Sequence, residues 1–247
     1  MWLRELEPDY QTKESGINNL NFLWHKDKIY IMDNHLAAAY CWLESCDKEA
    51  AYNFIHIDQH TDFLCNHPLK AYPSNLDTIT IDEYCALQYN GMPLFQWDNY
   101  IKPIQMLNPR WFSYNVFSVP KVRVDIRTQA LVPHMCIDYI HPFELGECMG
   151  DLFSESRLYA SNKWIVNIDI DVFFDDGSRV FDDEYVRKIA NILNENIDKI
   201  HVLTLCLSPE CCGIDLESGW QNAISVLNTF NSQLGAFRDL NFPTDYD

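Results

Sequence analysis

An apolar run, Tyr52-Asn53-Phe54-Ile55-His56-Ile57, leads directly into Asp58-Gln59-His60-Thr61-Asp62. Its length and composition are those of a buried strand. A buried strand ending in two carboxylates and an imidazole constrains this chain more than any other stretch. Side chains alternate along a strand with a period of two, so an extended continuation points Asp58, His60 and Asp62 the same way. Carboxylates gathered away from water are costly unless a positive group lies among them. The pattern therefore calls for a divalent cation at the strand end. A second run, Trp164-Ile165-Val166-Asn167-Ile168, leads into Asp169-Ile170-Asp171 and repeats the theme. Two such ends, far apart in sequence, suggest one site with two metals.

The rest of the chain supplies the scaffold such a site needs. Residues 17–34 read as a hairpin, with strands over 19–24 and 28–32 about the turn His25-Lys26-Asp27. An Ala-rich helix is expected over 36–46, which places His35 at a strand-to-helix junction. Further strands are expected over 52–58, near 135–140 with His141-Pro142 at its end, over 163–171 and over 200–207, and residues 110–119 are β-prone. Helices are expected over 78–88, 182–194 and 216–234, with loops and helix pieces over 89–109. The tail 241–247 should fray. Continuously apolar strands alternating with helices point to an α/β fold, a mostly parallel sheet covered on both faces. With no repeat, low-complexity tract or linker, residues 1–247 read as a single domain.

The chain has 247 residues, 47% of them hydrophobic, including 14 Phe, 13 Tyr and 7 Trp, enough for a substantial core. Acidic residues outnumber basic ones 36 to 18, a formal charge of −18. Such a field repels nucleic acid and anionic membranes and attracts metal ions and guanidinium or ammonium substrates. The acidic start, Met1-Trp2-Leu3-Arg4-Glu5-Leu6-Glu7, has no secretory pattern, and no apolar run approaches the ~18 residues of a membrane span. Nine cysteines without a CxxC pair support neither a disulfide framework nor a zinc ribbon. A reducing, cytoplasmic location is expected, with Cys41, Cys85 and Cys206 as small buried hydrophobes. The oligomeric state is left open.

Polar groups then sit at four strand ends: His35; Asp58, His60 and Asp62; Asp169 and Asp171; Glu210. In a parallel sheet these ends share the edge where ligands bind. Oxygen donors with two imidazoles suit Mn²⁺, with Zn²⁺, Fe²⁺ and Co²⁺ as alternatives. Two ions roughly 3.5 Å apart can make a hydroxide nucleophilic at neutral pH and hydrolyse an electrophilic carbon or phosphorus centre. Either DxHxD or DxD alone is equally a solvated cluster of aspartates. Together, with His35 at a third strand end, they define a metal site. Glu210 is read either as a functional carboxylate or as an acid at a helix start. His67 is read as a proton shuttle or a plain surface histidine. His56 is read as a support for Asp58 or a satisfied core histidine. Cys211 and Cys212 are read as packing residues. Trp97, Tyr100, Trp111 and Tyr114 could line a peptide groove, though core packing suits most of them better.

Asp58-Gln59-His60-Thr61-Asp62 resembles the DAHxD motif of the arginase (ureohydrolase) superfamily. Asn167-Ile168-Asp169-Ile170-Asp171 resembles its SxDxD motif, and Asp33-Asn34-His35-Leu36-Ala37-Ala38 its GGDHSxA motif. With Cys41-Trp42 and Leu207-Ser208-Pro209-Glu210-Cys211-Cys212, the set looks like the compact family containing the peptide arginases of ribosomal-peptide (RiPP) maturation. These hydrolyse arginine side chains within a peptide to ornithine and urea. The resemblance implies a three-layer α/β/α fold and two Mn²⁺ per chain. It implies His35, Asp58, Asp62 and Asp169 around one ion and Asp58, His60, Asp169 and Asp171 around the other. Asp58 and Asp169 would bridge, and a bridging hydroxide would attack the guanidinium carbon. Asp33-Asn34 and Phe174 depart from the superfamily pattern. So does Leu64, which replaces an Asn that helps hold the backbone groups of free arginine and so favours a peptide substrate. Asn75 falls where the shuttle histidine would be, leaving His67 for that role. Aligned on Pro209, Cys206 takes the place of the guanidinium-binding Glu, so that role passes to Glu210 through a shifted geometry. The alternatives are hydrolysis of free arginine or agmatine, a deacetylase-like amidohydrolase, and a non-catalytic binding module.

Overall fold

The computed structural model describes residues 1–120, 136–154, 162–237, 240 and 242. Eight strands form one sheet: β1 (Trp2–Arg4), β2 (Leu23–Lys26), β3 (Ile29–Met32), β4 (Tyr52–Ile57), β5 (Tyr114–Ser118), β6 (Cys136–Tyr139), β7 (Lys163–Asp169) and β8 (Ile200–Cys206). Their order is β1-β2-β3-β8-β7-β4-β5-β6. The pairings from β3 to β6 are all parallel, and β1 and β2 add an antiparallel edge. Every residue of β4 is buried, which is why its sequence reads as a run rather than as an alternation.

Six α-helices among the described residues cover the sheet: α1 (Leu36–Ser45), α2 (Ile81–Cys85), α3 (Ile101–Leu107), α4 (Pro142–Leu152), α5 (Asp183–Glu195) and α6 (Leu216–Leu234). Alternate strand residues feed two separate cores. Ile55, Ile57, Val166, Ile168, Leu203 and Leu205 pack with α4, α5 and α6. Phe54, Ile165, Val202 and Cys206 pack with α1, α2 and α3 on the opposite face. The result is the three-layer α/β/α fold with a mostly parallel sheet. The helices follow their sequence cues. Asp182 accepts the Tyr185 amide at the start of α5, whose buried Val186, Ile189, Ala190 and Leu193 form one helical stripe. Asp215 and Ser218 cap α6 reciprocally, and Gly235, at φ +61°, ends it.

Four local expectations change. The helix expected over 78–88 spans only Ile81–Cys85, because Asn90 and Gly91, both at positive φ, turn Gln88–Tyr89 back on Met92–Pro93 as a hairpin. The hairpin between β2 and β3 turns at Asp27 and Lys28, later than expected, with Lys26 opposite Ile29. His141-Pro142 does not merely end a strand. The His141 ring accepts the Phe143 amide and Pro142 opens α4. The β7 strand stops at Asp169, and Ile170–Phe173 coil as a 3₁₀ turn. Met135 and most of the tail 241–247 lie outside the described residues. No helix among those described is long and apolar enough to cross a membrane.

Candidate metal centre

The parallel strands β3, β4, β7 and β8 end on one edge, and each delivers part of a cluster there. His35 follows β3 at the start of α1, Asp58 follows β4, Asp169 is the last residue of β7, and Ser208 and Glu210 follow β8. Asp58, His60 and Asp62 do not converge by strand alternation as expected. β4 ends at Ile57, the His60 amide turns back to Asp58 Oδ1 at 2.6 Å, and Asp62 adopts a left-handed φ of +47°. Aspartate tolerates that region better than most residues. Asp171 reaches the cluster through its own tight turn, its amide bonded to Asp169 Oδ1 at 3.1 Å.

The six anticipated residues meet. His35, Asp58 and Asp62 present ligand atoms within 4.8 Å of one another, as do Asp58, His60 and Asp171. Asp58 belongs to both groups, the arrangement a bridging ligand requires. A third group joins His35 and Asp169 to Cys206, which the sequence reading treated as packing. Its signal was positional: Cys206 pairs directly with Asp169 and with Met32 at the ends of their strands.

His35 Nδ1 lies 3.0, 3.1 and 3.2 Å from carboxylate oxygens of Asp58, Asp62 and Asp169. A ring nitrogen carries at most one hydrogen, so it cannot serve all three. Asp58 Oδ2 is buried without a hydrogen bond of its own. Four carboxylates no more than 6% exposed, facing two imidazoles, form a donor set that fits divalent cations. The electrostatics of the metal-free cluster agree. Burial opposes charge on His35, yet the carboxylates of Asp169, Asp58 and Asp62 raise its pKa well above the ordinary value. Hydrogen bonds with Asp171 and Asp58 push His60 to about 12. Burial and the neighbouring Asp58 raise Asp62 to about 8. Burial and then Asp171 raise Asp169, and burial and then Asp58 raise Asp171. Asp58 alone goes down: burial works against its charge, but His35 and His60 outweigh it. Cations bound in the cluster would relieve the same repulsion that these shifts reflect.

A polar ladder supports the cluster from within the sheet. Asn167 pairs with His56 on β4 and with Thr204 on β8. Its amide donates to His56 Nδ1 at 2.8 Å and to the Tyr100 hydroxyl at 2.9 Å, and its oxygen accepts from Thr204 Oγ1 at 2.6 Å. His56 Nε2 is thereby left to donate to the His60 carbonyl at 3.1 Å. Burial lowers the His56 pKa to about 4, keeping the ring neutral. His56 therefore supports the motif rather than entering it. Ser208, at φ +39°, donates to Asp169 Oδ2 at 2.5 Å and fixes that carboxylate.

The cluster floors a pocket of about 640 Å³. Its walls include Asp98, Asp175, Asp176 and Glu210, with Leu64 and Trp97 at the rim and no lysine or arginine among the described lining residues. Glu210 lies on this wall, but its Oε1 accepts the amides of Ser15 and Gly16, the latter at 3.1 Å. His67 is not brought to the pocket. It is buried, and its Nε2 meets the Pro93 carbonyl at 2.9 Å. Tyr100, Trp111 and Tyr114 are core residues, whereas Trp97 is 43% exposed.

No protein-family model and no curated protein matches the chain. Solved structures similar to it include the agmatine ureohydrolase of Thermoplasma volcanium, at 13% identity and a TM-score of 0.45, covering 85% of this chain and 63% of that one. Another is the proclavaminate amidino hydrolase from Streptomyces clavuligerus, at 12% identity and 0.46, covering 84% and 63%. The chain thus spans under two thirds of the length of either. At this level of similarity they bear on neither activity nor substrate.

Proposed function

We propose that the chain is a metal-dependent C–N hydrolase, an amidinohydrolase that converts arginine within a peptide to ornithine and urea with two Mn²⁺ bound. One observation carries the reading: two ligand groups sharing Asp58 lie at the floor of a pocket walled by carboxylates. Two cations held there would supply a hydroxide nucleophilic at neutral pH. His35, Asp58, Asp62 and Asp169 would hold one and Asp58, His60, Asp169 and Asp171 the other. Water is added across the bond between the guanidinium carbon and the side-chain nitrogen. The carbon leaves in urea, and the nitrogen takes a proton to become the ornithine amine. The negative walls draw a cationic side chain inward and disfavour anions. Leu64, 45% exposed at the rim, offers an apolar surface where a free amino acid would need a polar partner for its carboxylate. That supports a substrate whose backbone is amide-bonded. His67 is given no part in the reaction.

The test combines metal analysis with urea release from Mn²⁺-loaded protein. About two ions per chain are expected, with loss of one CN₂H₂ unit per modified arginine in an Arg peptide. Cleavage of free arginine or agmatine while every Arg peptide keeps its mass would rule out the peptide version. One ion per chain, with activity on acylated amines, would instead favour a deacetylase-like amidohydrolase.

A further inference from the structure

We propose that Glu210 is a positioning residue that clamps the segment Ser15-Gly16-Ile17 as one wall of the pocket, and that this wall reads the substrate beyond its guanidinium group. The proposal rests on the amidinohydrolase reading, and it assigns Glu210 a different task from binding that group. The segment belongs to no strand or helix and precedes His35, the first cluster residue in the chain. It is nevertheless fixed at several points. Ser15 and Gly16 donate their amides to one carboxylate oxygen of Glu210. The Ser15 hydroxyl donates to Asp33 Oδ2 at 2.5 Å, and Asn34 Nδ2 donates to the Gly16 carbonyl at 2.9 Å. On the far side the Trp97 amide donates to the Ile17 carbonyl at 3.0 Å.

The segment therefore runs from the loop after β8 to the rim residue Trp97. Ser15 and Gly16 line the pocket, and Ile17, 53% exposed, sits beside Trp97. Of these anchors, Asp33 and Asn34 immediately precede His35 and are part of the floor, whereas Glu210 reaches in from the loop after β8. An acceptor that serves two adjacent amides has that oxygen committed, and a charged acceptor holds them more firmly than a neutral one. What the wall presents to a bound peptide is backbone and one apolar side chain. It suits the residue next to the target arginine, and an apolar neighbour above all.

Two variants and two readouts decide the matter. In Glu210→Ala, hydrogen exchange at the Ser15 and Gly16 amides should speed up about ten-fold, the loss of one charge-assisted acceptor. Glu210→Gln keeps an acceptor oxygen and should restore most of the protection. In Mn²⁺-loaded protein, Glu210→Ala should raise KM for an Arg peptide with an apolar neighbour about ten-fold while kcat changes little. Agmatine, measured as substrate or competitor, should be affected much less. Unchanged exchange in Glu210→Ala, or a glutamine variant exchanging as fast as the alanine one, would overturn the clamp. An equal loss for peptide and agmatine without rescue by glutamine would instead make Glu210 a guanidinium ligand. Exchange needs no turnover, so a protein that released no urea would defeat the functional reading and leave the clamp decided separately.

Discussion

Asn167 uses its whole amide in the core: its oxygen accepts from Thr204 and its nitrogen donates to His56 and Tyr100. Replacing it with leucine leaves His56 Nδ1 without its donor and the Thr204 hydroxyl with only its longer bond to the Val166 carbonyl, in a site with no solvent access. Asn167→Leu is expected to cost about 1–3 kcal/mol in denaturant unfolding. It should also weaken Mn²⁺ binding about 10–100-fold in a direct titration, because His56 no longer fixes the His60 carbonyl. The residues of the cluster are legible in the sequence because each DxHxD or DxD segment carries its carboxylates and imidazole within five positions. His67 lies away from the pocket, whereas Glu210 lies on its wall with one oxygen given to the Ser15 and Gly16 amides. Residue chemistry and proximity in sequence point to both, but neither fixes where a loop side chain turns. Cys206 is a buried core residue as expected, and its place beside Asp169 shows only once its neighbours across the sheet are known.

Three backbone segments meet behind the pocket wall, and glycine permits each approach. A Cβ on Gly219, in the second turn of α6, would come within 1.9 Å of the Pro209 carbonyl oxygen. One on Gly213 would lie 2.3 Å from the Gly219 amide, and one on Gly177, at φ +73°, 2.4 Å from the Gly213 carbonyl. The loop bearing Ser208 and Glu210 is thus seated directly on α6. Gly219→Ala, usually favourable in a helix, is expected here to destabilise by about 1–3 kcal/mol in urea titration and to lower Mn²⁺ affinity by displacing Ser208 from Asp169. The long elements were legible because their apolar spacing was sustained: α5 and α6 lie within a residue of expectation, and the central strands within two. The short ones were not. Asn90-Gly91 is a strong hairpin cue, but strands only two residues long leave no apolar pattern beside it in the sequence. His141-Pro142 reads from sequence as the end of a strand, although a proline at the first helical position starts a helix as readily as it ends a strand.

The whole molecule carries a net charge of −18, with four of its carboxylates packed at one sheet edge. Metal removal is therefore expected to destabilise the fold, not only to silence it. Mn²⁺ at about a thousand times its dissociation constant should stabilise by roughly 4 kcal/mol over chelated protein, seen as a rise in Tm that EDTA reverses. The chelated protein should also lose stability as pH rises from the ordinary histidine value of 6.5 to about 8. Asp62, raised to about 8, and His60, raised to about 12, keep protons that the unfolded chain has given up. The folded state then binds more protons than the unfolded one, so unfolding becomes easier with each step upward in pH. Below 6.5, His56, lowered to about 4, works in the opposite sense. Melting curves at pH 6.5 and 8, with and without Mn²⁺, check both points. A chelated Tm independent of pH in this range would contradict the protonation pattern.

The ladder Thr204–Asn167–His56 has one more consequence, for the lengths of the strands that carry it. A slip of one residue in β7 would put Val166 or Ile168 at the level of His56 and Thr204 and turn Asn167 to the opposite face. The ladder works as a ruler across β8, β7 and β4. A single-residue insertion or deletion within these three strands is expected to take the carboxylates and imidazoles of the cluster out of reach of one another.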